Sequence, residues 1–387
     1  MTTSRATLFP AILVVSTLVS ACGSGASPTR QVPVGPTAPS GNTGGTGGGG
    51  TVTLTAPSPV SPVNNEQLST LRPTLTVQNG TSSVQSGTRT YEFQVSDRTD
   101  FSMGASLTAS FLVAVNQTGV PEGDGRTSLT ISSDLQPTTR MYWRARVVQG
   151  TTTSDWSSAA QFRTKMVGYN RANELYDPLV HGETIGQPFG SVTFVTGRGA
   201  QLNSQTSYIR YQLANTLTSG EFSVLVEGLA PGAAGSKFKI FSMQSGTGNL
   251  IDNLYMSNVQ YRGAINGNPD NSISFKALYG SSADSRKFEP SQGNRLVRLL
   301  DPSRAYFWKW TWGSEVRLLV QEGIGGATVY NYGVPTAGTY APSPHYAYLG
   351  ANAQGSVEEG SRPGAIIRQV WISDKPRPAT LGNALED

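Results

Sequence analysis

From residue 55 to residue 373 the chain repeats one pattern: apolar and polar residues alternate over short stretches, and Gly, Pro, Asn or Asp interrupts them. A period of two sends successive side chains to opposite faces of an extended strand, so each stretch can bury one face and wet the other. Leu75 and Val77 alternate with Thr74 and Thr76; Tyr91, Phe93 and Val95 alternate with Thr90, Glu92 and Gln94. Met141, Trp143, Ala145 and Val147 face one way while Tyr142, Arg144 and Arg146 face the other. Such stretches bury their apolar faces only by pairing into sheets that pack on one another, so an all-β chain is expected. Charged residues make up only 14% of the sequence, against 44 glycines, which leaves too little Glu, Lys, Leu and Ala for helical bundles.

The chain has a single cysteine, so no intrachain disulfide can form, and any sandwich must be held by its hydrophobic core. The net charge of +4 is mild and no Lys/Arg run is present, which excludes a nucleic-acid-binding patch.

The N-terminus carries an address. Arg5 precedes an apolar stretch from Leu8 to Val19, about a dozen residues and too short to span a bilayer. It ends in Val19-Ser20-Ala21-Cys22, small residues directly before a cysteine, which resembles the lipobox of bacterial lipoprotein signal peptides. That resemblance implies removal of residues 1–21, acylation of Cys22, and a protein that is exported and lipid-anchored to the cell envelope. Gly23, where an Asp would favour inner-membrane retention in that family, points to the outer membrane and cell surface. Residues 22–54 are Gly, Ser, Thr and Pro apart from a few others, and cannot bury enough apolar surface to order themselves. As a flexible coil they form a tether with a reach of roughly 30 Å.

Residues 55–165 contain about seven alternating stretches, with Leu107, Ala109, Phe111, Val113 and Val115 expected to share one face, as for an immunoglobulin-like sandwich. The segment 134–164, DLQPTTRMYWRARVVQGTTTSDWSSAAQFRT, resembles the last two strands of a fibronectin type III domain. Met141 stands where that family carries its corner tyrosine, and Tyr142 faces the wrong way to replace it. The resemblance implies a spacer or structural module.

Residues 167–373 offer about eleven further stretches, and 374–387 form a C-terminal tail. The aromatic run Tyr306 to Trp312 followed by Val316 to Gln321, then Tyr348-Leu349-Gly350 and Gly364 to Trp371, resembles the concanavalin A-like lectin/glucanase superfamily and its laminin G-like members. That implies a larger jelly-roll sandwich. Each segment has its own alternating core pattern and is expected to fold by itself.

No catalytic constellation is legible. Glu221 and Glu227 share a strand face but lie six residues apart, about 20 Å at the rise of a strand, which is too far for a retaining glycosidase pair. Glu358-Glu359 reads as a solvated loop. Tyr208 and Arg210 share a face, with Lys276 on another strand and His345 in a Pro-rich loop; these are the groups a polysaccharide lyase would need, without the strand motifs of the lyases. No metal site is indicated, since Cys/His clusters are absent and the Asp/Asn residues at 252–253 and 268–271 lack Ca²⁺-loop spacing; Ca²⁺ enters only through the lectin resemblance. Trp308, Trp310 and Trp312 lie on one face of a strand, with the first two expected in the core and Trp312 at the rim. Tyr330, Tyr332, Tyr340, Tyr346 and Tyr348 are expected in the loops that follow.

These residues point to a non-catalytic surface lipoprotein whose outer domain binds a polysaccharide or envelope polymer, with Trp312, Tyr208, Arg210, Lys276, Tyr330 and His345 as ligand contacts. A divergent lyase or hydrolase, and a structural envelope lipoprotein, are the alternatives. Because acyl chains supply about 0.8 kcal/mol per buried methylene, Cys22→Ser is expected to move the protein from the detergent phase to the aqueous phase; unchanged membrane partitioning would refute the anchor.

Overall fold

The structure is a computed structural model that describes residues 51–103, 111–230, 237–247, 257–263, 270–279, 286–350 and 360–385. The signal segment, Cys22, most of the tether, Asp252 and the pair Glu358-Glu359 lie outside the described residues. All the sheets are built from short strands, as the alternation requires. The described helices are two single-turn 3₁₀ segments, Gln292–Asn294 and Asn383–Leu385, and no described helix is long and apolar enough to cross a membrane.

In the first sandwich a three-stranded sheet of Ser58–Ser61, Thr74–Gln78 and Arg126–Thr130 packs on a six-stranded sheet centred on Arg89–Ser96 and Arg140–Gln149. The alternating residues meet as expected: Leu75, Val77, Tyr91, Phe93, Met141, Trp143 and Val147 are buried together. The Trp143 indole N–H donates to the Pro62 carbonyl at 2.8 Å, which satisfies the one polar atom of that side chain. One stretch departs from expectation. Residues 104–110 lie outside the described residues, and the strand runs Ala114–Pro121, so Phe111 belongs to a different cluster.

The second sandwich has two larger sheets. The nine-stranded one runs Tyr169–Arg171, Glu174–Asp177, Ile366–Ser373, Gly220–Glu227, Tyr306–Trp312, Glu315–Glu322 and Thr328–Pro335, with Gly199–Leu202 and Val192–Val195 attached beside Ile366–Ser373. The eight-stranded one runs Gln187–Phe189, Tyr208–Gln212, Tyr346–Gly350, Lys237–Gln244, Ser257–Arg262, Ser272–Tyr279 and Arg286–Phe288, with Leu296–Val297 on the edge of Ser272–Tyr279. The strands beyond the eleven expected are short ones, such as Gln187–Phe189, whose few residues leave no visible alternation.

Aromatic side chains fill the space between these sheets. Phe222 meets Phe241 with ring centroids 4.2 Å apart, and Trp310 meets Phe275 edge-on at 5.0 Å. Trp308 and Trp310 are fully buried, as expected. Trp312 is buried too, at 3% exposure, with its indole N–H donating to the Leu217 carbonyl at 3.2 Å. It is therefore a core residue and not a rim platform, because the chain around Leu217 folds back over the strand end. Tyr330 and Tyr340 are likewise buried, and Tyr330 lies on the strand Thr328–Pro335.

One end of the outer face of the nine-stranded sheet is covered. Tyr169, Tyr176 and Trp371 stand side by side in register across three strands and pack against Phe111, Leu381 and Leu71. Phe111 and Leu71 come from the first sandwich, and Leu381 from the C-terminal tail. The tail is also tied to the first sandwich by hydrogen bonds: Thr380 Oγ1 to Asp97 Oδ2 at 2.6 Å, Arg140 N to Asn383 Oδ1 at 2.7 Å, and Gly382 N to the Thr138 carbonyl at 3.0 Å. On the same outer face Glu174 and Glu221 flank Ser373 in register, both buried. Lys375 of the tail lies 3.8 Å from the Glu174 carboxylate, and Ser223 donates to Glu221 at 2.8 Å.

Two outcomes follow from this packing. Trp310→Ala and Trp312→Ala should each cost about 3–5 kcal/mol, the range for emptying a buried large aromatic site; a melting temperature unchanged by Trp312→Ala would contradict its burial. Removing residues 374–387 uncovers Trp371 and Tyr176, and limited proteolysis should then cut the joint between Thr164 and Tyr169 much faster. An unchanged cleavage pattern would show that the tail does not hold the two sandwiches together.

Candidate functional site

The outer face of the nine-stranded sheet is covered around Tyr169, Tyr176 and Trp371, and the eight-stranded sheet carries a polar row on its own outer face. Cross-strand register determines which residues share it. Arg210, Tyr348, Ser242, Asn258 and Lys276 follow one another across five strands. Beside this row run Gln212, Tyr346 and Gln244 on one side, and Lys239, Gln260 and Ser274 further along. The alternate positions Ile209, Tyr211, Phe241, Val259, Phe275 and Leu349 all point into the core, so the sheet is apolar inside and polar outside.

At one end of the face four aromatic rings form a separate cluster: Phe189, Tyr208, Tyr346 and Tyr348. Phe189 and Tyr208 stack with centroids 4.6 Å apart and planes inclined by 13°, and Tyr208 lies 5.8 Å from Tyr348. The Arg210 guanidinium covers Phe189 at 4.8 Å and Tyr346 at 5.6 Å, and donates to Gln187 Oε1 at 2.6 Å. Phe189 and Tyr346 are half-buried while Gln187 and Gln212 are exposed, so this end is open to solvent. Inward, Ser242, Tyr348 and Asn258 are buried, and the Ser242 and Tyr348 hydroxyls have no hydrogen-bond partner of good geometry. Buried hydroxyls are nearly always paired in folded proteins, and the Tyr348 hydroxyl has the Arg210 guanidinium beside it.

The strand that brings Phe189 here is set by a buried carboxylate. Asp177 accepts from Thr184 Oγ1 at 2.6 Å, the Ile185 amide at 3.1 Å, the Tyr211 hydroxyl at 3.0 Å and the Leu179 amide at 3.3 Å. Burial pushes its pKa up to about 6 despite these donors. Its acceptor sites are thus used in fixing the segment that leads into Gln187–Phe189, and it is a positioning residue. Gly186 within that segment passes so close to the sheet that a Cβ would lie 2.7 Å from Ile209 and Tyr211 side-chain atoms.

Of the residues picked out by sequence, Tyr208, Arg210 and Lys276 do share this face. Trp312 and Tyr330 do not: both side chains are buried elsewhere, and Tyr330 donates its hydroxyl to the Asn294 carbonyl at 2.9 Å. His345 is exposed just before the strand Tyr346–Gly350. Phe189, Ser242, Asn258 and Gln260 escaped sequence reading. Tyr346 and Tyr348 were expected in a loop, although the alternation Tyr-Ala-Tyr-Leu already signals a strand with both tyrosines on one face.

The strands of the eight-stranded sheet carry no Asp or Glu. Glu221 and Glu227 lie on the other sheet, the former buried beside the tail and the latter paired with Arg198 and Arg368. Burial raises the pKa of both Tyr208 and Tyr348, with Arg210 opposing it only in part, so neither phenol is tuned as a base. Among the described residues no group of three His, Cys, Asp or Glu is placed to hold a metal ion.

No family model matches this chain, and no curated protein matches it. Among solved structures, the enzymatically active domain of tailspike protein 2 from bacteriophage CBA120 aligns at 9% identity and a TM-score of 0.35, over 58% of this chain and 33% of that one. The exoplasmic/lumenal domain of VIP36, in a Ca²⁺/Man2-bound form, aligns at 10% identity and 0.35, over 52% of this chain and 87% of that one. The receptor-binding domain of botulinum neurotoxin type G aligns at 12% identity and 0.34, over 56% and 51%. The alignment spans about a third of the tailspike chain. At such TM-scores the function has to be read from the site itself.

Proposed function

We propose that this chain is a glycan-binding protein, anchored to the bacterial envelope through Cys22, whose ligand site is the aromatic end of the outer face of the eight-stranded sheet. One observation carries this reading: the stacked aromatic group Phe189, Tyr208, Tyr346 and Tyr348, open to solvent at one end and continuous with a row of amides and hydroxyls at the other. Sugar rings have apolar C–H faces and hydroxyl edges, so they are matched by aromatic rings beside polar side chains. The first sandwich is then a structural module that, with the tether, lifts this face from the membrane.

The catalytic alternative draws on Arg210, Tyr208 and Lys276 sharing a face, since a lyase needs a cation and a proton acceptor together. It is disfavoured by the burial that raises the pKa of both tyrosines.

Phe189→Ala and Tyr346→Ala should each weaken oligosaccharide binding by about tenfold, the loss of one aromatic contact, while lowering stability far less than Trp310→Ala. Glycan-array binding and thermal melting of the same variants check this. Full retention of affinity in both variants would remove the site from this face, and release of unsaturated uronate products by the wild type would overturn the non-catalytic reading.

A further inference from the structure

A cavity of about 220 Å³ lies where the chain passes from the first sandwich into the second, between residues 166–168 and residues of the segment 177–185. It shares no residue with the aromatic cluster. His181 and Met166 both line it, and His181 Nε2 lies 2.6 Å from Met166 Sδ. A thioether is only a weak acceptor, and an N–H···O bond, to a smaller atom, spans about 2.7–3.2 Å. The contact is therefore tighter than an imidazole–thioether hydrogen bond accounts for. Among the described residues it is the one side-chain polar contact that either residue makes.

The surroundings are anionic. Asp177 and Glu183 line the same cavity, and no Lys or Arg does. Three of the four donors to Asp177 go to Oδ2, while Oδ1 receives only the Leu179 amide at 3.3 Å. Oδ1 lies on the Gly168 side, where a Cβ would stand 3.3 Å from it. This carboxylate is 2% exposed and no cation lies among the groups that act on it. A buried charge without a counter-charge is unfavourable, and a cation in the cavity would offset that.

We propose that this cavity binds one soft monovalent cation, Cu(I), through His181 Nε2 and Met166 Sδ, and that the bound ion fastens the linker to the second sandwich. Thioether sulfur selects Cu(I), and imidazole suits copper as well. Ca²⁺ and Mg²⁺ take about six or more oxygens, and a structural Zn²⁺ site draws on a cluster of His, Cys or carboxylate groups, none of which is assembled among the described residues. The ion would sit to the cavity side of the N···S line. His181 is exposed and Met166 half-buried, so both side chains have room to open to ligand spacing. The two ligands are fifteen residues apart in the chain, one in the linker and one in the second sandwich, which is why a single ion would tie them together.

The test uses the full chain carrying Cys22→Ser, which removes the only thiol, titrated anaerobically with Cu(I) against a chromophoric Cu(I) chelator. One equivalent of Cu(I) should be withdrawn from the chelator. His181→Ala and Met166→Leu should each weaken that binding at least about tenfold and leave the melting temperature of the copper-free protein nearly unchanged. X-ray absorption of the loaded protein should show sulfur beside nitrogen around the copper. Cu(I) should also slow proteolysis between Thr164 and Tyr169 in the parent chain and in neither variant. No copper withdrawn, binding unchanged in both variants, or binding lost instead on replacing His345, the other histidine, would overturn the site. A copper environment without sulfur, or Zn²⁺ bound more tightly than Cu(I), would overturn the ligand assignment. Copper bound with no change in proteolysis would overturn the fastening.

Discussion

The structure depends on the packing of two large sheets through their apolar faces, with Phe222, Trp308 and Trp310 from one and Phe241, Val259 and Phe275 from the other. Strand alternation makes the consequence unavoidable: once odd positions of a strand are inside, even positions are outside. Every outer-face residue is therefore positioned by the core, and a register slip of one residue would exchange the Arg210–Tyr348–Ser242–Asn258–Lys276 row for its apolar neighbours. The outer face is as precise as the core beneath it. No disulfide helps, since the chain has one cysteine and it lies in the N-terminal segment.

The two outer faces meet different fates. On the nine-stranded sheet the outer face carries Tyr169, Tyr176 and Trp371, too much apolar surface to leave in water, and the first sandwich and the tail cover it. Covering it buries Glu174 and Glu221, and the burial raises the pKa of Glu221. Lys375 at 3.8 Å and the Ser223 hydroxyl at 2.8 Å compensate in part. On the eight-stranded sheet the outer face is hydroxyls, amides and cations, which need no apolar partner. Its aromatics are confined to one end, where Arg210 lies over them.

A buried carboxylate and a glycine hold the strands of the aromatic cluster in place. Asp177 holds the segment that delivers Phe189, using four hydrogen bonds and no charge partner. Gly350 ends the strand of Tyr346 and Tyr348 at φ 85°, where a Cβ would come within 2.2 Å of Ser361 Oγ, so only glycine fits.

The sequence by itself determined the all-β class and the inward residues of most strands, because alternation is a local signal and burial follows from it directly. It also determined that Trp308 and Trp310 are core and that Tyr208 and Arg210 share a face, both consequences of spacing along one strand. It did not reveal the short strands, the docked tail or the site's full membership. Trp312 looked like a rim residue because it precedes Gly313, yet the chain at Leu217, nearly a hundred residues away, closes over it. Phe189 gave no local sign, since its strand is three residues long and its meaning comes from pairing with Tyr208–Gln212. The row from Arg210 to Lys276 draws on five separate strands. Only tertiary structure could decide it, because which strands become neighbours is determined by long-range packing that no single stretch of the chain encodes.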